Sequence, residues 1–303
     1  MSATAGGFFG ARFWMLDLLA AFRPQLAALL AALGLLLWLV GSRTAAVLVG
    51  LAGLVNLAVV APLLLPVQHP DASGSQLRIL SHNVHGGGDE RFALVTAELK
   101  QTTADLVLLY EMSPRWIDLF GESGLPFSVV HPLEEADHRR IMVLSKRPVV
   151  AAEPVELIKG SRSGGIAVDV IFDGRPVRIL AVHTHAPRDA RSAALRDAEL
   201  AAVRLWVSRQ EMPVIVAGDL NVTPWSHAFR QLQSETALLN SQRGFGIQPT
   251  WPAGGGPVRV PIDHLLHGPE LSTVGRSIGP SLGSAHLSLN VALAWRPAQE
   301  PGG

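Results

Sequence analysis

Two long apolar runs without a charged residue, close to the N-terminus, restrict the fold of this chain more than any other feature. They cover residues 26–40 and 45–67, and a short polar segment, 41–44, separates them. Neither run has a polar face, so each must be covered by protein or by lipid if it is helical. A membrane-spanning helix needs ~20 residues, and the runs therefore predict a transmembrane helical hairpin with spans at about 26–40 and 45–67.

Two alternatives to a membrane hairpin stay open for these runs. A cleaved signal peptide has an apolar core of only ~7–15 residues and no second run behind it. A soluble helical hairpin buried in protein would normally carry polar residues on one side. The aromatic-rich segment 8–22 precedes the runs and predicts a lead-in at a membrane interface.

The charges that flank the runs give only a small orientational bias. With two spans, Arg12, Arg23 and Arg78 lie on one side and Arg43 lies on the other, which favours the cytoplasm for the rest of the chain. A third crossing by segment 8–22 would reverse this orientation, so two or three spans, and either side of the membrane, stay open.

Composition excludes several kinds of chemistry. The sequence has no cysteine, so disulfides, thiolate zinc sites and thiol nucleophiles are excluded. Lys and Arg total 25, as do Asp and Glu, so no net charge of the whole chain attracts nucleic acid. Local basic clusters are still compatible with these totals.

The rest of the chain divides into a linker, a globular region and a tail. Residues 68–76 are rich in turn-forming residues and predict a linker. Residues 77–296 contain apolar strand-like runs and amphipathic helices, and residues 297–303 form a tail. Asp173-Gly174, between two strand-like runs, predicts a β-hairpin.

Segment 213–224 predicts a buried strand that ends in polar side chains. Four apolar residues follow Pro213, and the chain becomes polar at Gly218, Asp219 and Asn221. If the extended conformation continues, Asp219 and Asn221 leave the same face, and their oxygens suit a hard cation or an attacking water. An Asx turn that binds only backbone is the competing interpretation.

Similar side chains lie within or at the end of several more predicted strands, namely Asn83, Glu111, His183, His185 and Asp263, and His286 shortly precedes the last predicted strand, 289–295. Each of them also suits an ordinary structural role, such as a turn, a solvated acid or a buried histidine. The two neighbouring histidines suit zinc binding or donation to a phosphoryl oxygen. The same arrangement, an apolar strand with a metal-suitable side chain at its end, occurs several times, and this repetition favours a functional site over separate structural roles.

In their order and spacing, these motifs resemble the endonuclease/exonuclease/phosphatase superfamily, the group of deoxyribonuclease, exonuclease III and bacterial sphingomyelinases. The resemblance covers residues 76–296 and is carried by Asn83, Glu111, Thr184-His185, Gly218-Asp219-Leu220-Asn221, Ile262-Asp263-His264 and Gly283-Ser284-Ala285-His286. It implies an α/β fold, a four-layer sandwich of two packed mixed sheets flanked by helices. The Thr250-Trp251-Pro252 loop and the apolar runs also resemble membrane-attached bacterial members, which implies a multi-pass protein of the inner (plasma) membrane.

The resemblance also implies a Mg²⁺ or Mn²⁺ ion and a role for each motif residue. Glu111 would hold the metal with help from Asn83. Asp219 would orient the attacking water, and Asn221 would hold a phosphate oxygen. The remaining pair, Asp263 and His286, would act at the phosphate, His286 as general acid or base or as a hydrogen-bond donor in the transition state.

Four further residues are candidates for contact with the substrate. The Thr-His pair matches the family pattern at His185, so His185 is expected at the phosphate and His183 is the reserve choice. Arg140 belongs to a basic cluster that suits a phosphate group. Trp251 lies in a loop that is expected to cover the site.

One position departs from the family pattern. The family usually has Asp immediately before the last histidine, where this sequence has Ala285. A small apolar side chain neither coordinates a metal nor accepts a hydrogen bond. Weakened rather than absent chemistry is therefore expected.

The motifs predict a membrane-anchored, metal-dependent phosphodiesterase, nominally a nuclease. A phospholipid, sphingomyelin or inositol-phosphate phosphoesterase is the alternative within enzymes. A non-catalytic binding module with a degenerate site is the alternative outside them. The expected partners are a phosphodiester substrate and, through the N-terminal hairpin, a lipid bilayer, and no obligate protein partner is indicated.

Overall fold

The computed structural model describes residues 2–8, 10, 13–67, 74–86, 88–130, 140–159 and 164–297. The helices of this part are α1 (Ser2–Gly6), α2 (Trp14–Ala20), α3 (Arg23–Leu39), α4 (Arg43–Leu64), α5 (Asp89–Gln101), α6 (Arg115–Glu122), α7 (Ala190–Val207) and α8 (His227–Thr236). The strands are β1 (Leu77–Asn83), β2 (Leu106–Tyr110), β3 (Ser128–Val130), β4 (Met142–Ser145), β5 (Val149–Glu156), β6 (Gly164–Phe172), β7 (Arg175–Val182), β8 (Val214–Asp219), β9 (Leu239–Asn240), β10 (Asp263–His267), β11 (Leu271–Ile278) and β12 (Leu289–Trp295).

The strands form two mixed sheets of six strands each. The order is β11-β12-β1-β2-β4-β3 in the first sheet and β5-β6-β7-β8-β10-β9 in the second. One parallel pair, β1 with β2, lies inside the first sheet, and another, β7 with β8, lies inside the second. The remaining pairs are antiparallel, and β6 and β7 form the hairpin predicted at Asp173-Gly174.

Alternating side chains of the strands build three apolar layers. Residues such as Leu108 and Ile179 pack between the two sheets. Their neighbours, such as Leu109, pack outward against α5 and α6, and Leu180 packs outward against α7 and α8. Two packed sheets flanked by helices agree with the predicted sandwich, and the strand period of two explains why each strand serves two layers.

The predicted apolar helices are present as α3 and α4, which pack against each other. A Cβ built on Gly34 would lie 3.4 Å from the carbonyl oxygen of Ala46, and one on Gly53 would lie 3.4 Å from Cβ of Leu30. Small residues at these positions let the two backbones approach closely.

The outer faces of α3 and α4 expose large apolar side chains, including Leu29, Leu36, Leu39 and Leu54. By length and composition α4 is able to cross a membrane. Helices α2 and α3, bent by 65° at their junction, form a second candidate span together. The transmembrane role of the hairpin stays a prediction.

Helices α2 and α3 make polar contacts with the sandwich. The guanidinium of Arg196 on α7 lies 3.1 Å from the carboxylate of Asp17 on α2. The side-chain amide of Gln25 on α3 donates to the carbonyl oxygens of Pro257 at 3.0 Å and Arg259 at 2.9 Å. Segment 8–22 was expected at a membrane interface, but Asp17 is buried against protein.

The end of α4 also contacts the sandwich. The backbone N–H of Gly246 donates to the carbonyl oxygen of Leu63 at 2.9 Å. Ala20, Val60 and Leu63 form a buried apolar cluster with Trp225. The N-terminal helices are therefore packed against the sandwich at three separate places.

Parts of the predicted linker and tail lie outside the described residues, namely 68–73 and 298–303. The boundaries assigned to the membrane region, linker, catalytic domain and tail stay predictions.

Candidate active site

The central strands bring the predicted site residues to one edge of the sandwich. Strands β1 and β2 end at Asn83 and Tyr110, and strands β7 and β8 end at Val182 and Asp219. The hydroxyl of Tyr110 donates to the carbonyl oxygen of Ala217 at 3.0 Å and joins the two sheets just beneath this edge. Polar residues that follow these strands therefore meet.

Gly218 allows β8 to approach β7 at this edge. Its φ angle is +151°, and a Cβ there would lie 1.7 Å from the carbonyl oxygen of Val182. Any other residue would clash with β7. This glycine therefore fixes the position of Asp219.

Asn83, Glu111, His183 and Asp219 form a compact cluster. The amide of Asn83 donates to Oε1 of Glu111 at 2.9 Å and to Oδ2 of Asp219 at 3.0 Å. Nε2 of His183 lies 3.5 Å from each of the same two oxygens. Asn83 and Asp219 are buried, whereas 24% of the Glu111 side chain is exposed, so the cluster is accessible at Glu111.

Asp263 and His286 form a second unit beside this cluster. Nδ1 of His286 lies 3.0 Å from Oδ2 of Asp263, and Nε2 lies 3.7 Å from Oδ2 of Asp219. The backbone N–H of His286 donates to the hydroxyl of Ser284, which in turn donates to the carbonyl oxygen of Asn83. The imidazole is thus held between two carboxylates.

Burial and mutual charge shift the pKa values of this group. Burial raises the pKa of Asp219 to about 7, and the carboxylate of Asp263 adds to the rise. Burial alone would lower the pKa of His286, but Asp263 and Asp219 outweigh it and raise that pKa to about 9. Burial opposes ionisation of Asp263, but the charge of His286 outweighs it and lowers the pKa of Asp263. At neutral pH, His286 and Asp263 form an ion pair, and Asp219 exchanges a proton readily.

The two histidines after β7 have different partners. His183 lies among the acids, whereas Nδ1 of His185 lies 2.7 Å from Oε1 of Glu199 on α7. The backbone N–H of His185 donates to the other oxygen of the same carboxylate, which has no exposed surface. In a continued strand, His183 and His185 would share one face, but β7 ends at Val182 and the two imidazoles separate. The reserve choice, His183, is therefore the histidine beside Glu111 and Asp219, although His185 lines the same cavity.

Asn221 lines the cavity, as a site residue would, and it also takes part in an Asx turn. Its backbone N–H donates to Oδ1 of Asp219 at 3.0 Å, as in an Asx turn. Its φ angle is +49°, so the strand conformation does not continue to this residue. Its side-chain amide donates to the carbonyl oxygen of Thr184 at 2.9 Å, and the amide carries a second N–H.

The two remaining predicted substrate contacts differ in position. Trp251 lines the cavity with 40% of its surface exposed. Among the described residues, Arg140 is not part of the cavity lining, and its guanidinium donates to the carbonyl oxygen of Met112 at 3.3 Å. The loop that precedes Arg140, residues 131–139, lies outside the described residues.

Two more residues of the site, His85 and Arg196, are not predicted from the sequence. Nδ1 of His85 lies 3.1 Å from Oε2 of Glu111, and its position two residues after Asn83 was the available signal. Arg196 donates to the carbonyl oxygen of Asn221 at 3.3 Å. It lies within an amphipathic helix, where no local pattern distinguishes it from a surface arginine.

The site opens into a cavity of about 740 Å³. His85, Glu111, His183, Asp219 and His286 contribute polar groups to its lining. The N-terminal helices also contribute, through Leu18, Ala21 and Phe22. The cavity therefore has a lining of mixed polarity from two parts of the chain.

Two overlapping groups of side chains suit a divalent metal ion. One consists of Glu111, His183 and Asp219, and the other of Asp219, Asp263 and His286, with the ligand atoms of each group within 4.8 Å of one another. Carboxylate oxygens suit Mg²⁺ and Mn²⁺. The raised pKa of Asp219 indicates that burial disfavours its charge, which a cation would stabilise. The residues present thus fit a divalent ion, with Glu111 as its accessible ligand.

Comparison with solved structures shows the same fold in several proteins. TDP2 from D. rerio, complexed with a single-strand DNA product, aligns with a TM-score of 0.63 and 16% identity over 73% of this chain and 100% of that chain. The human Nocturnin catalytic domain with a bound sulfate anion aligns with a TM-score of 0.58 and 17% identity over 73% and 95%. The endonuclease/exonuclease/phosphatase from Beutenbergia cavernae aligns with a TM-score of 0.53 and 21% identity over 73% and 72%.

No curated protein sequence matches the chain. The family model of the endonuclease/exonuclease/phosphatase family matches residues 80–286, which include every motif residue from Asn83 to His286. The chain therefore belongs to the endonuclease/exonuclease/phosphatase family, whose members hydrolyse phosphate ester bonds.

Proposed function

We propose that this protein is a membrane-anchored, divalent-metal-dependent phosphodiesterase. The observation that carries this function is the convergence of Glu111, His183, Asp219 and His286 at one cavity, with Asp263 in contact with His286 behind them. An array of acids and imidazoles of this kind suits displacement at phosphorus, where charge on the phosphoryl oxygens must be neutralised.

The proposed reaction is hydrolysis of one P–O ester bond. The oxygen of water attacks phosphorus, the bond to the leaving oxygen breaks, and a proton is transferred to that oxygen. A divalent ion held by Glu111, His183 and Asp219, with Asn83 orienting the carboxylates, would act as a Lewis acid on the phosphoryl group.

The protein's own groups supply the proton transfers. Asp219, a buried carboxylate held by the Asn83 amide and 3.7 Å from Nε2 of His286, is suited to orient the attacking water and to accept its proton. His286 is cationic at neutral pH and is suited to donate a hydrogen bond to the phosphoryl oxygen or a proton to the leaving group. Asp263 keeps His286 in place through its contact with Nδ1. We assign the second N–H of the Asn221 amide to a phosphate oxygen.

Membrane anchoring is proposed from the exposed apolar faces of α3 and α4. These helices present side chains such as Leu35, Leu39 and Leu51 away from the protein, and large exposed apolar surfaces of soluble proteins are uncommon. The prediction of a multi-pass membrane protein therefore stands as part of this proposal. Extraction of membranes at alkaline pH tests it, because a spanning protein stays in the pellet and a peripheral one is released.

Hydrolysis of bis(4-nitrophenyl) phosphate by the full-length protein in detergent tests the reaction. We expect turnover only with Mg²⁺ or Mn²⁺, and a loss of at least ~100-fold in Glu111→Gln. Glu122→Gln, an exposed acid at the end of α6, is the matched control and should retain full activity. Turnover that survives both a chelator and Glu111→Gln would contradict the proposal.

The non-catalytic binding module has little support, since the predicted acids Glu111, Asp219 and Asp263 converge with His183 and His286. For the substrate, the DNA product in the D. rerio TDP2 structure favours nucleic acid. The apolar part of the cavity lining favours a lipid substrate instead.

A further inference from the structure

The wall of the cavity that comes from the N-terminal helices is apolar except for Asp17, whose carboxylate is paired with Arg196. Leu18 belongs to α2, and Ala21 and Phe22 connect α2 to α3. Val222 and Ile262 of the sandwich also contribute apolar surface to the same cavity. A substrate that fills this space therefore contacts acids and imidazoles with one part and hydrocarbon with another.

The apolar wall is held in place by contacts that do not involve a ligand. Asp17, adjacent to Leu18, is buried against Arg196 and also accepts a hydrogen bond from the backbone N–H of His227 at 3.1 Å. Gln25, three residues after Phe22, is bound to two carbonyl oxygens of the sandwich. Leu18, Ala21 and Phe22 are therefore a fixed part of the cavity.

The same segment leads directly into the apolar hairpin. Phe22 is the residue that precedes the first turn of α3, and α3 exposes Leu29 and Leu33 on its outer face. If α3 enters a bilayer, the apolar wall lies where the chain enters the lipid. A lipid could then place its phosphate at the acids and keep its hydrocarbon part against the wall.

The charges at the cavity give nucleic acid less support. Binding of nucleic acid relies on several cationic contacts with phosphates. Of the two arginines in the described lining, Arg196 is neutralised by Asp17 and Asp197, and Arg188 is the other. The net charge of the whole chain is zero.

We propose, on the basis of the phosphodiesterase function above, that the substrate is a membrane lipid whose phosphodiester reaches the acids while its hydrocarbon part lies against Leu18, Ala21 and Phe22. The products are the phosphomonoester and the alcohol of the cleaved bond. Nucleic acid is the competing substrate class.

Two synthetic diesters test this inference with the full-length protein in detergent micelles. Butyl 4-nitrophenyl phosphate and dodecyl 4-nitrophenyl phosphate share the leaving group and the charge and differ only in chain length. We expect kcat/KM for the dodecyl ester to exceed that for the butyl ester by roughly tenfold or more, because additional methylene groups are buried.

Matched variants distinguish a chain-length preference caused by the cavity wall from one caused by partition of the ester into the micelle. In Leu18→Asn the ratio of dodecyl to butyl kcat/KM should fall roughly tenfold. Leu19→Asn alters the next residue, which is exposed and does not line the cavity, and should keep the wild-type ratio. Ala21→Trp, which fills the space with an apolar side chain, should lower the ratio like Leu18→Asn and guards against a folding defect in one variant.

An unchanged ratio in Leu18→Asn and Ala21→Trp would overturn the lipid inference but leave the phosphodiesterase intact. So would cleavage of a single-stranded oligonucleotide with higher kcat/KM than the dodecyl ester. If the wild type cleaves neither diester with Mg²⁺ or Mn²⁺, the proposed function itself fails.

Discussion

Asp17 and Arg196, 179 residues apart in the chain, form an ion pair with 5% and 4% of their side chains exposed. Removing Asp17 leaves the buried guanidinium of Arg196 paired only with the half-exposed Asp197, which destabilises more than the loss of a surface pair. We expect Asp17→Asn to lower the free energy of unfolding by about 3 kcal/mol.

Asp197 provides the control for this pair, since it binds the same guanidinium at 2.8 Å with 52% of its side chain exposed. Asp197→Asn should cost less than ~1 kcal/mol, as surface pairs do. Urea denaturation of both variants in the same detergent measures the difference. Equal losses would show that the pair does not hold α2 in place.

Stability of the metal-free protein should decrease as pH rises. The folded state keeps the proton of His286 up to a pKa of about 9, whereas the unfolded state loses it near 6.5. The contribution of His286 is thus complete below pH 6.5 and is lost as pH rises through about 9. The pKa of Asp219 is raised from 3.8 to about 7, so this group also makes stability fall as pH rises, over the lower range between these two values.

Urea unfolding with a chelator present, at several pH values between about 6.5 and 9, measures this slope. His286→Gln should flatten it over that range, since the titrating group is gone. A stability that increases with pH in the wild type would contradict the assigned shifts.

Metal affinity should depend on His183 and not on His185. Nε2 of His183 lies 3.5 Å from the carboxylates of Glu111 and Asp219, whereas His185 is bound to Glu199. We expect His183→Asn to weaken Mn²⁺ binding by at least ~10-fold in calorimetric titration. His185→Asn is the matched variant and should bind Mn²⁺ like the wild type, and the opposite order would restore His185 as the principal histidine.

Gly218 should not tolerate a side chain. Because an added Cβ would lie 1.7 Å from the carbonyl oxygen of Val182, Gly218→Ala must displace β7 or β8. We expect a loss of about 3 kcal/mol or more in unfolding free energy. Gly121→Ala on α6, where an added Cβ meets nothing within 4 Å, should change stability by less than ~1 kcal/mol.

Restoring the acid of the family pattern should raise activity. Ala285 is partly exposed beside His286, and its carbonyl oxygen accepts a hydrogen bond from Ala253 at 2.6 Å, which fixes the backbone. We expect Ala285→Asp to increase the rate of hydrolysis at saturating Mg²⁺, because it adds a carboxylate near the metal site. Ala285→Asn adds similar volume without charge, and equal rates in the wild type and Ala285→Asp would refute the expectation.

The strands and the acids were predictable because they follow local patterns. Runs such as 106–110 and 214–217 are apolar and short, and the residue that follows a buried strand must lie at the sheet edge. Glu111 after β2 and Asp219 at the end of β8 are found in this way, whereas Asp263 is the first residue of β10. The order of the motifs identifies the family. The Asp173-Gly174 hairpin is equally local, since its residues have the positive φ angles that the turn requires.

Some features depend instead on where a strand ends or on distant contacts. His183 and His185 could not be separated, because their directions depend on β7 ending one residue before His183. The positions of Arg196 and Glu199 at the site follow from how α7 packs across the sheet. The surroundings of segment 8–22 also depend on a distant contact. Its composition suits contact with lipid or with protein, and only the pairing of Asp17 with Arg196 shows contact with protein.

The position of α2 has a practical consequence for production of the protein. A fragment that starts after the apolar runs is the usual choice for soluble expression, and it would contain all the predicted acids and histidines. It would also lack Asp17, leave Arg196 without its buried partner, and open one side of the cavity. Substrate screens on such a fragment would therefore report the chemistry of the acids while losing the selectivity that the N-terminal helices provide.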